Sequence, residues 1–220
     1  DKQHKKLIDI NKLLPSGKSY FTSIYNDNFN YNSYIDFFIK HGYNFNIPDK
    51  FDIYPLEQAI FINSSDFFAA LINTNRIDFN IKIPNPSDLR RNNKNVKFTT
   101  YIHLAIRNDN TKIVSLLLNT NMIDINITND LDDTPLMEAC RYKLKNMIEL
   151  FADFDNLDYL HRNKNGEDAL QILNPKIKEK FEDKNEYFAK LMNKFEDKNQ
   201  YNHNDFYDDD DDYFRFNDDY

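Results

Sequence analysis

Five histidines, one cysteine and three glycines bound the chemistry open to this 220-residue chain. His4, His41, His103, His161 and His203 are dispersed, without the spacing by which a helix or hairpin presents a metal. Cys140 stands alone, which excludes an internal disulfide and a cysteine-based zinc cluster. With Ala139 and Leu136 as neighbours it reads as a small buried apolar group rather than a reactive thiol. Gly17, Gly42 and Gly166 are too few and too scattered for a phosphate-cradling loop. Asp208 to Asp212 supply five adjacent carboxylates, but not the spacing and glycine of a calcium loop. These residues predict no catalytic site, no cofactor and no metal, hence a non-enzymatic chain.

Charge narrows the partners. The formal net charge of −8 is uneven: residues 203–220 hold eight Asp and one Arg, and the other 202 residues carry 28 acids against 27 bases. A neutral body with a net of −1 lacks the basic stripe of a nucleic-acid binder. No apolar run is long enough to span a bilayer, and the opening Asp1-Lys-Gln-His-Lys-Lys has no apolar stretch of a secretory signal. The expected setting is cytoplasmic and reducing, with cytoskeletal association left open. The expected partner is a protein, not nucleic acid or membrane, and the chain is expected to be monomeric alone or part of a larger assembly.

Periodicity organises the rest. Asn73-Thr-Asn-Arg-Ile-Asp-Phe-Asn-Ile81 and Asn119-Thr-Asn-Met-Ile-Asp-Ile-Asn-Ile127 share seven of nine positions, 46 residues apart. Tyr54-Pro-Leu-Glu-Gln-Ala-Ile60, Thr100-Tyr-Ile-His-Leu-Ala-Ile106 and Thr134-Pro-Leu-Met-Glu-Ala-Cys140 align without gaps, and Ser19–Tyr25 and Asp168–Leu173 fit more loosely. The second positions of the five blocks fall at 20, 55, 101, 135 and 169. The underlying unit is therefore about 33–34 residues with one insertion. Each unit opens with a short helix, capped by Thr and started by Pro where Thr134-Pro135 stands. A second apolar helix follows (Ile35–Ile39, Phe67–Ile72, Ile113–Leu118, Met147–Ala152). Asn44-Phe-Asn46, Asp78-Phe-Asn80 and Asp124-Ile-Asn126 then close the unit with residues suited to turns.

This pattern resembles the ankyrin repeat, with its Thr-Pro-Leu-His-Leu-Ala-Ala first helix, a second helix rich in Val and Leu, and a closing Gly-Ala-Asp-Val-Asn. The match covers about residues 16–174. Thr134-Pro135-Leu136 keeps the opening and His103-Leu104-Ala105 the core, while Asn63, Asp109 and Lys143 replace the Gly between helices. The composition, crowded with Asn, Lys, Asp and Ile, is of the kind that AT-rich genomes produce. The resemblance implies an all-α, ankyrin-type helical-hairpin solenoid of about four to five repeats, with hairpin tips along one edge. It also implies a structural role for His103, bonded to Thr100 and nearby backbone.

The expected organisation follows. Residues 1–15 form an N-terminal cap or partial repeat, and 16–174 the repeat array, with openings near 19, 54, 100, 134 and 168. The polar, proline-containing insertion 83–97 is either a tolerated loop or an enlarged finger. Residues 175–201 form a C-terminal helix. Its stripe of Ile177, Phe181, Phe188, Leu191 and Phe195 either caps the last repeat or docks a partner. Its first two turns are expected to bury Ile177 and Phe181, with Phe188 to Phe195 projecting. Residues 202–220 are an acidic tail, too charged to fold alone.

Register places the expected protein-binding surface at helix ends and hairpins: Phe61, Ile62, Lys97, Arg107, Asn108, Asp133, Arg141, Tyr142 and Lys164, positions a stack would leave exposed. Arg141 and Tyr142 are expected to dominate, with no cost to stability when replaced. Two functions remain: an adaptor that binds a client reversibly, or a component built permanently into a cytoskeletal or other large assembly. Deleting residues 203–220 should leave one cooperative thermal unfolding transition in place, because that segment buries too little apolar surface to support the fold. Loss of that transition would show that the tail is part of the packed body.

Overall fold

A computed structural model describes residues 9–21, 31–85, 88, 97–173 and 184–196. The chain divides into two compact units, Asp1–Phe79 and Asn80–Tyr220.

The first unit contains α1 (Tyr31–Lys40), α2 (Pro55–Phe61) and α3 (Ser65–Ile72). Pro55 starts α2, and the Ser64 hydroxyl caps α3 by accepting the Phe67 N–H. The core is aromatic. Phe21 is wholly buried among Tyr34, Phe38, Tyr43, Phe45 and Phe67, with ring centroids 5.2–5.6 Å away. The phenols of this cluster find partners inside it: Tyr34 donates to the Phe21 carbonyl at 2.8 Å and Tyr43 to the Ser19 hydroxyl at 3.0 Å. The loosely matched opening block Ser19–Tyr25 lies mostly outside the described residues.

The second unit holds a two-stranded antiparallel ribbon, β1 (Ile83–Pro84) and β2 (Phe98–Thr99), then α4 (Tyr101–Arg107), α5 (Thr111–Asn119), α6 (Pro135–Arg141), α7 (Lys145–Ala152), α8 (Ala169–Leu173) and α9 (Lys184–Glu196). Helices α4 and α5, then α6 and α7, form hairpins, and α4, α6 and α8 pack side by side. Their small faces allow this: Ala105, Ala139 and Ala169 are buried, with Leu104, Leu136 and Leu170 filling the space between. The insertion is more ordered at its base than the sequence suggests. Ile83 pairs with Thr99, the Asn85 amide donates to the Lys97 carbonyl at 2.8 Å, and Ile83 is wholly buried. Its bounding β-branched residues thus continue a hairpin that a scan for helical periodicity passes over.

Helix α9 corrects one expectation. Phe188 and Leu191 do not project; both are buried, with Tyr187, where α9 packs on α8 and α7. The described helix begins at Lys184, so its first turns against the array carry Tyr187 to Leu191. The Tyr187 hydroxyl accepts the Leu170 N–H at 2.7 Å, satisfying a donor in the first turn of α8. The side chains of Ile177, Phe181 and Phe195, and the acidic tail, lie outside the described residues. No described helix is long and apolar enough to cross a membrane.

The closing loops contain a device that repeats in both units. Asn11, Asn46, Asn80 and Asn126 each bridge to the backbone of the following loop with both side-chain atoms. Nδ2 donates to the carbonyls of Gly42, Arg76, Met122 and Asn156 at 2.8–3.1 Å. Oδ1 accepts the amides of Asn44, Asp78, Asp124 and Asp158 at 2.8–3.0 Å. An asparagine alone among short side chains offers a donor and an acceptor side by side for such a rung. In the next copy, Asp158-Tyr159-Leu160, a leucine stands in that place and is exposed. Asn126→Ala should therefore lower stability by about 1–2 kcal/mol, two modest hydrogen bonds, whereas Leu160→Ala should not. Equal effects in urea denaturation would remove the rung as a stabilising element.

Candidate functional site

The polar residues of the second unit converge on Asp133, just before α6. Its side chain has no exposed surface. Arg141 Nη2, one helix later, donates to Oδ2 at 2.7 Å, and Asn163 Nδ2, from the next hairpin finger, donates to Oδ1 at 2.8 Å. The Asp133 amide donates to Asn129 Oδ1 at 3.1 Å. Its carbonyl takes His103 Nε2 from α4 at 2.9 Å. A carbonyl can only accept, so Nε2 carries the proton, and Nδ1 accepts from the Thr100 hydroxyl at 2.7 Å. Thr100 is thereby diverted from capping α4.

A second buried carboxylate stands beside the first. Glu138, on α6, accepts from Arg107 Nε, at the end of α4, and from Asn129 Nδ2. The arginines that end two neighbouring first helices are thus each held by a carboxylate. Arg107 keeps 11 % of its side chain exposed and Arg141 36 %. A buried charge without a partner is strongly destabilising, so each arginine is held in place from below while its outer edge faces solvent.

The fingers form a row beside these helix ends. Asn129 and Asn163 each accept the amides two and four residues on (Leu131 and Asp133, Asn165 and Glu167), and Asp49 repeats this in the first unit with Phe51 and Ile53. These side-chain turns fold each tip. Neighbouring fingers then join by backbone bonds. Asp130 N donates to the Phe98 carbonyl at 3.3 Å, and Lys164 N to the Leu131 carbonyl at 3.1 Å. Lys164 Nζ also reaches the Asp130 carbonyl at 2.5 Å. Phe98 and Leu131 lie exposed on adjacent fingers.

Of the nine expected contact residues, Arg107, Asp133 and Arg141 enter the buried network, and Lys97 and Lys164 are exposed on the fingers. Asn108 and Tyr142 are half-buried and terminate α4 and α6 as C-caps. Phe61 and Ile62 are half-buried at the end of α2, in the first unit. Asp133 is the correction. A residue with no exposed surface touches no partner; it precedes the helix and turns inward to bind Asn163 and Arg141. The neutrality of Arg141 replacement is corrected with it, because loss of the guanidinium strands the Asp133 carboxylate. Sequence reasoning passed over Glu138 and Asn163, although Asn129 and Asn163 share one place in their units, 34 residues apart.

Burial, and then the nearby Arg107 guanidinium, push His103 down to about 3, so it is neutral in the fold. Burial also pushes the Cys140 thiol up, leaving it protonated and unreactive. An unfolded histidine titrates near 6.5. Between about pH 6.5 and pH 3 the unfolded chain therefore binds the extra proton, so this contribution to stability is complete above pH 6.5 and declines as pH falls. In His103→Gln, the slope of stability against pH between 6.5 and 5 should be shallower by about 1 kcal/mol per pH unit. Denaturation series at matched pH values measure it, and parallel slopes would contradict a neutral buried His103.

Comparison with known proteins agrees with this geometry. Residues 77–163 match the family model for ankyrin repeats, in three copies. The crystal structure of the human ASB11 ankyrin repeat domain is similar in fold, with a TM-score of 0.55 and 17 % identity over 84 % of this chain and 72 % of that one. No curated protein matches the sequence. The paired helices, Asn-folded fingers and Thr100–His103 bond agree with the matched model: residues 77–163 of this chain are ankyrin repeats, and the fold is the ankyrin-repeat fold.

Proposed function

We propose that this chain is a non-enzymatic adaptor that binds a protein partner reversibly across the helix ends and fingers of its second unit. Ankyrin repeats are in general protein–protein interaction modules. The observation that carries the reading is the seating of Arg107 and Arg141 on the buried carboxylates of Glu138 and Asp133. Arginines held in this way lose little freedom when a partner arrives, which favours them as interface anchors. Asn108 and Tyr142 flank them at the helix ends, and Lys97 and Lys164 extend the surface along the fingers. Phe61 and Ile62, in the first unit, are apolar contact candidates of that unit by itself.

Permanent incorporation into a larger assembly is the second reading, favoured by the exposed Phe98 and Leu131 on adjoining fingers. Light scattering on the purified chain separates the two: an adaptor stays monomeric, whereas an assembly component self-associates through its apolar surface. The client captured from the native cell then tests the surface. Tyr142→Ala should weaken binding by more than about 1 kcal/mol. Arg141→Lys, which keeps a cation over Asp133, should weaken it with a smaller loss of stability than Arg141→Ala. Unchanged affinity in both Tyr142→Ala and Arg141→Lys would remove this surface as the binding site.

A further inference from the structure

Asn165-Gly166 is the one Asn-Gly pair in the chain, and this dipeptide can modify itself. The glycine amide, once deprotonated, attacks the carbonyl carbon of the asparagine side chain. A five-membered succinimide closes and ammonia leaves. Water then opens the ring at either carbonyl, which gives aspartate or isoaspartate. One water is consumed, one ammonia is released, and nothing is oxidised or reduced. Glycine suits the step because no Cβ shields its nitrogen, and asparagine is among the thermolabile residues.

The pair sits on the finger 163–167, with both residues exposed. The Gly166 amide, which is the nucleophile, donates to the Asn163 carbonyl at 2.8 Å. Asn163 is buried, and its Oδ1 accepts the amides on either side, from Asn165 at 2.9 Å and Glu167 at 3.0 Å. Arg162 Nη1 donates to the Gly166 carbonyl at 3.1 Å. The reacting amide is thus tied down within the finger while water reaches the pair from outside. Ring closure has to wait for the finger to open.

The finger itself does not demand the glycine. Gly166 has a φ of +76°, and the same place in two sister fingers is filled by Asp52 at +59° and Asp132 at +63°. Their amides likewise donate to the carbonyls three residues back, those of Asp49 and Asn129. A Cβ on Gly166 would meet no atom within 4 Å. An aspartate fits this place, so the reactive pair is separable from the fold.

We propose that Asn165–Gly166 is a self-deamidating site gated by its finger, silent while the finger is closed and converted when it opens. The product changes the finger. The Asn165 amide donates to Glu167 Oε2, 3.4 Å away, and deamidation sets a carboxylate there in its place, like charge against like charge. Lys164, the preceding residue, acquires an anion as its neighbour. That this alters client binding rests on the adaptor reading; the deamidation itself does not.

The test incubates the full chain in mildly alkaline buffer, once folded and once unfolded in urea. Mass-spectrometric peptide mapping follows the aspartyl and isoaspartyl products at position 165. Conversion should be at least about tenfold slower in the folded chain, the factor set by local opening. Hydrogen exchange at the Gly166 amide of the folded chain should be slowed as well, since both reactions begin by removing that proton. Gly166→Asp should stay folded and lower the conversion in urea by at least about tenfold, because a side chain then crowds the nitrogen. Equal rates in buffer and urea would overturn the gating, as would an unprotected Gly166 amide. No conversion in urea, or undiminished conversion in Gly166→Asp, would overturn the site itself. None of these outcomes involves a client, so failure here leaves the adaptor reading to its own test.

Discussion

Asp133 carries a carboxylate, an amide and a carbonyl that are all out of reach of water, and each must be answered by the protein. A buried polar group left without a partner costs more than a typical hydrogen bond returns. The answers come from four places: His103 on the preceding first helix, Asn129 at the start of its own finger, Arg141 at the far end of its own helix, and Asn163 on the next finger. Satisfying one residue therefore fixes the finger, the helix it feeds and both neighbours. Hydrophobic packing of Ala, Leu and Ile faces drives the helices together but is tolerant of small slips. The Asp133 network and the asparagine rungs set the register.

Arg107 and Arg141 belong to the buried network on one side and to the surface on the other. On the function proposed above, selection on the contact surface would act on groups the fold also needs, and a partner would meet side chains that are already oriented. The histidine is the complement of this arrangement. Burial keeps it uncharged, so it adds directional hydrogen bonds without adding a third charge to the cluster.

The helices were legible in the sequence because apolar spacing repeats at 35, 46, 34 and 34 residues, and the structure places both helices of the gapless copies at those positions. The Thr100–His103 bond was legible through resemblance. The rungs were half-legible. Asp-x-Asn stood out as a turn, but a local reading assigns its side chains to nearby backbone, whereas the second Asn spans 30 or more residues. The depth of Asp133 was hidden because it precedes a helix, where acids are commonly solvated, and only the partner finger turns it inward. The two-residue ribbon was too short for strand periodicity to register.

The rung from Asn80 to Met122 and Asp124 spans 42 and 44 residues, whereas the other rungs span 30 to 33. Its hydrogen bonds are nonetheless the same length. The additional chain leaves and returns through the β1–β2 ribbon, so the frame does not register how long the excursion is. Closing a longer excursion costs little, since loop entropy grows only with the logarithm of length. The β1–β2 ribbon is thus a port in the second unit, a place where new sequence can be grafted, lengthened or exchanged while the Asn80 rung keeps its hydrogen bonds.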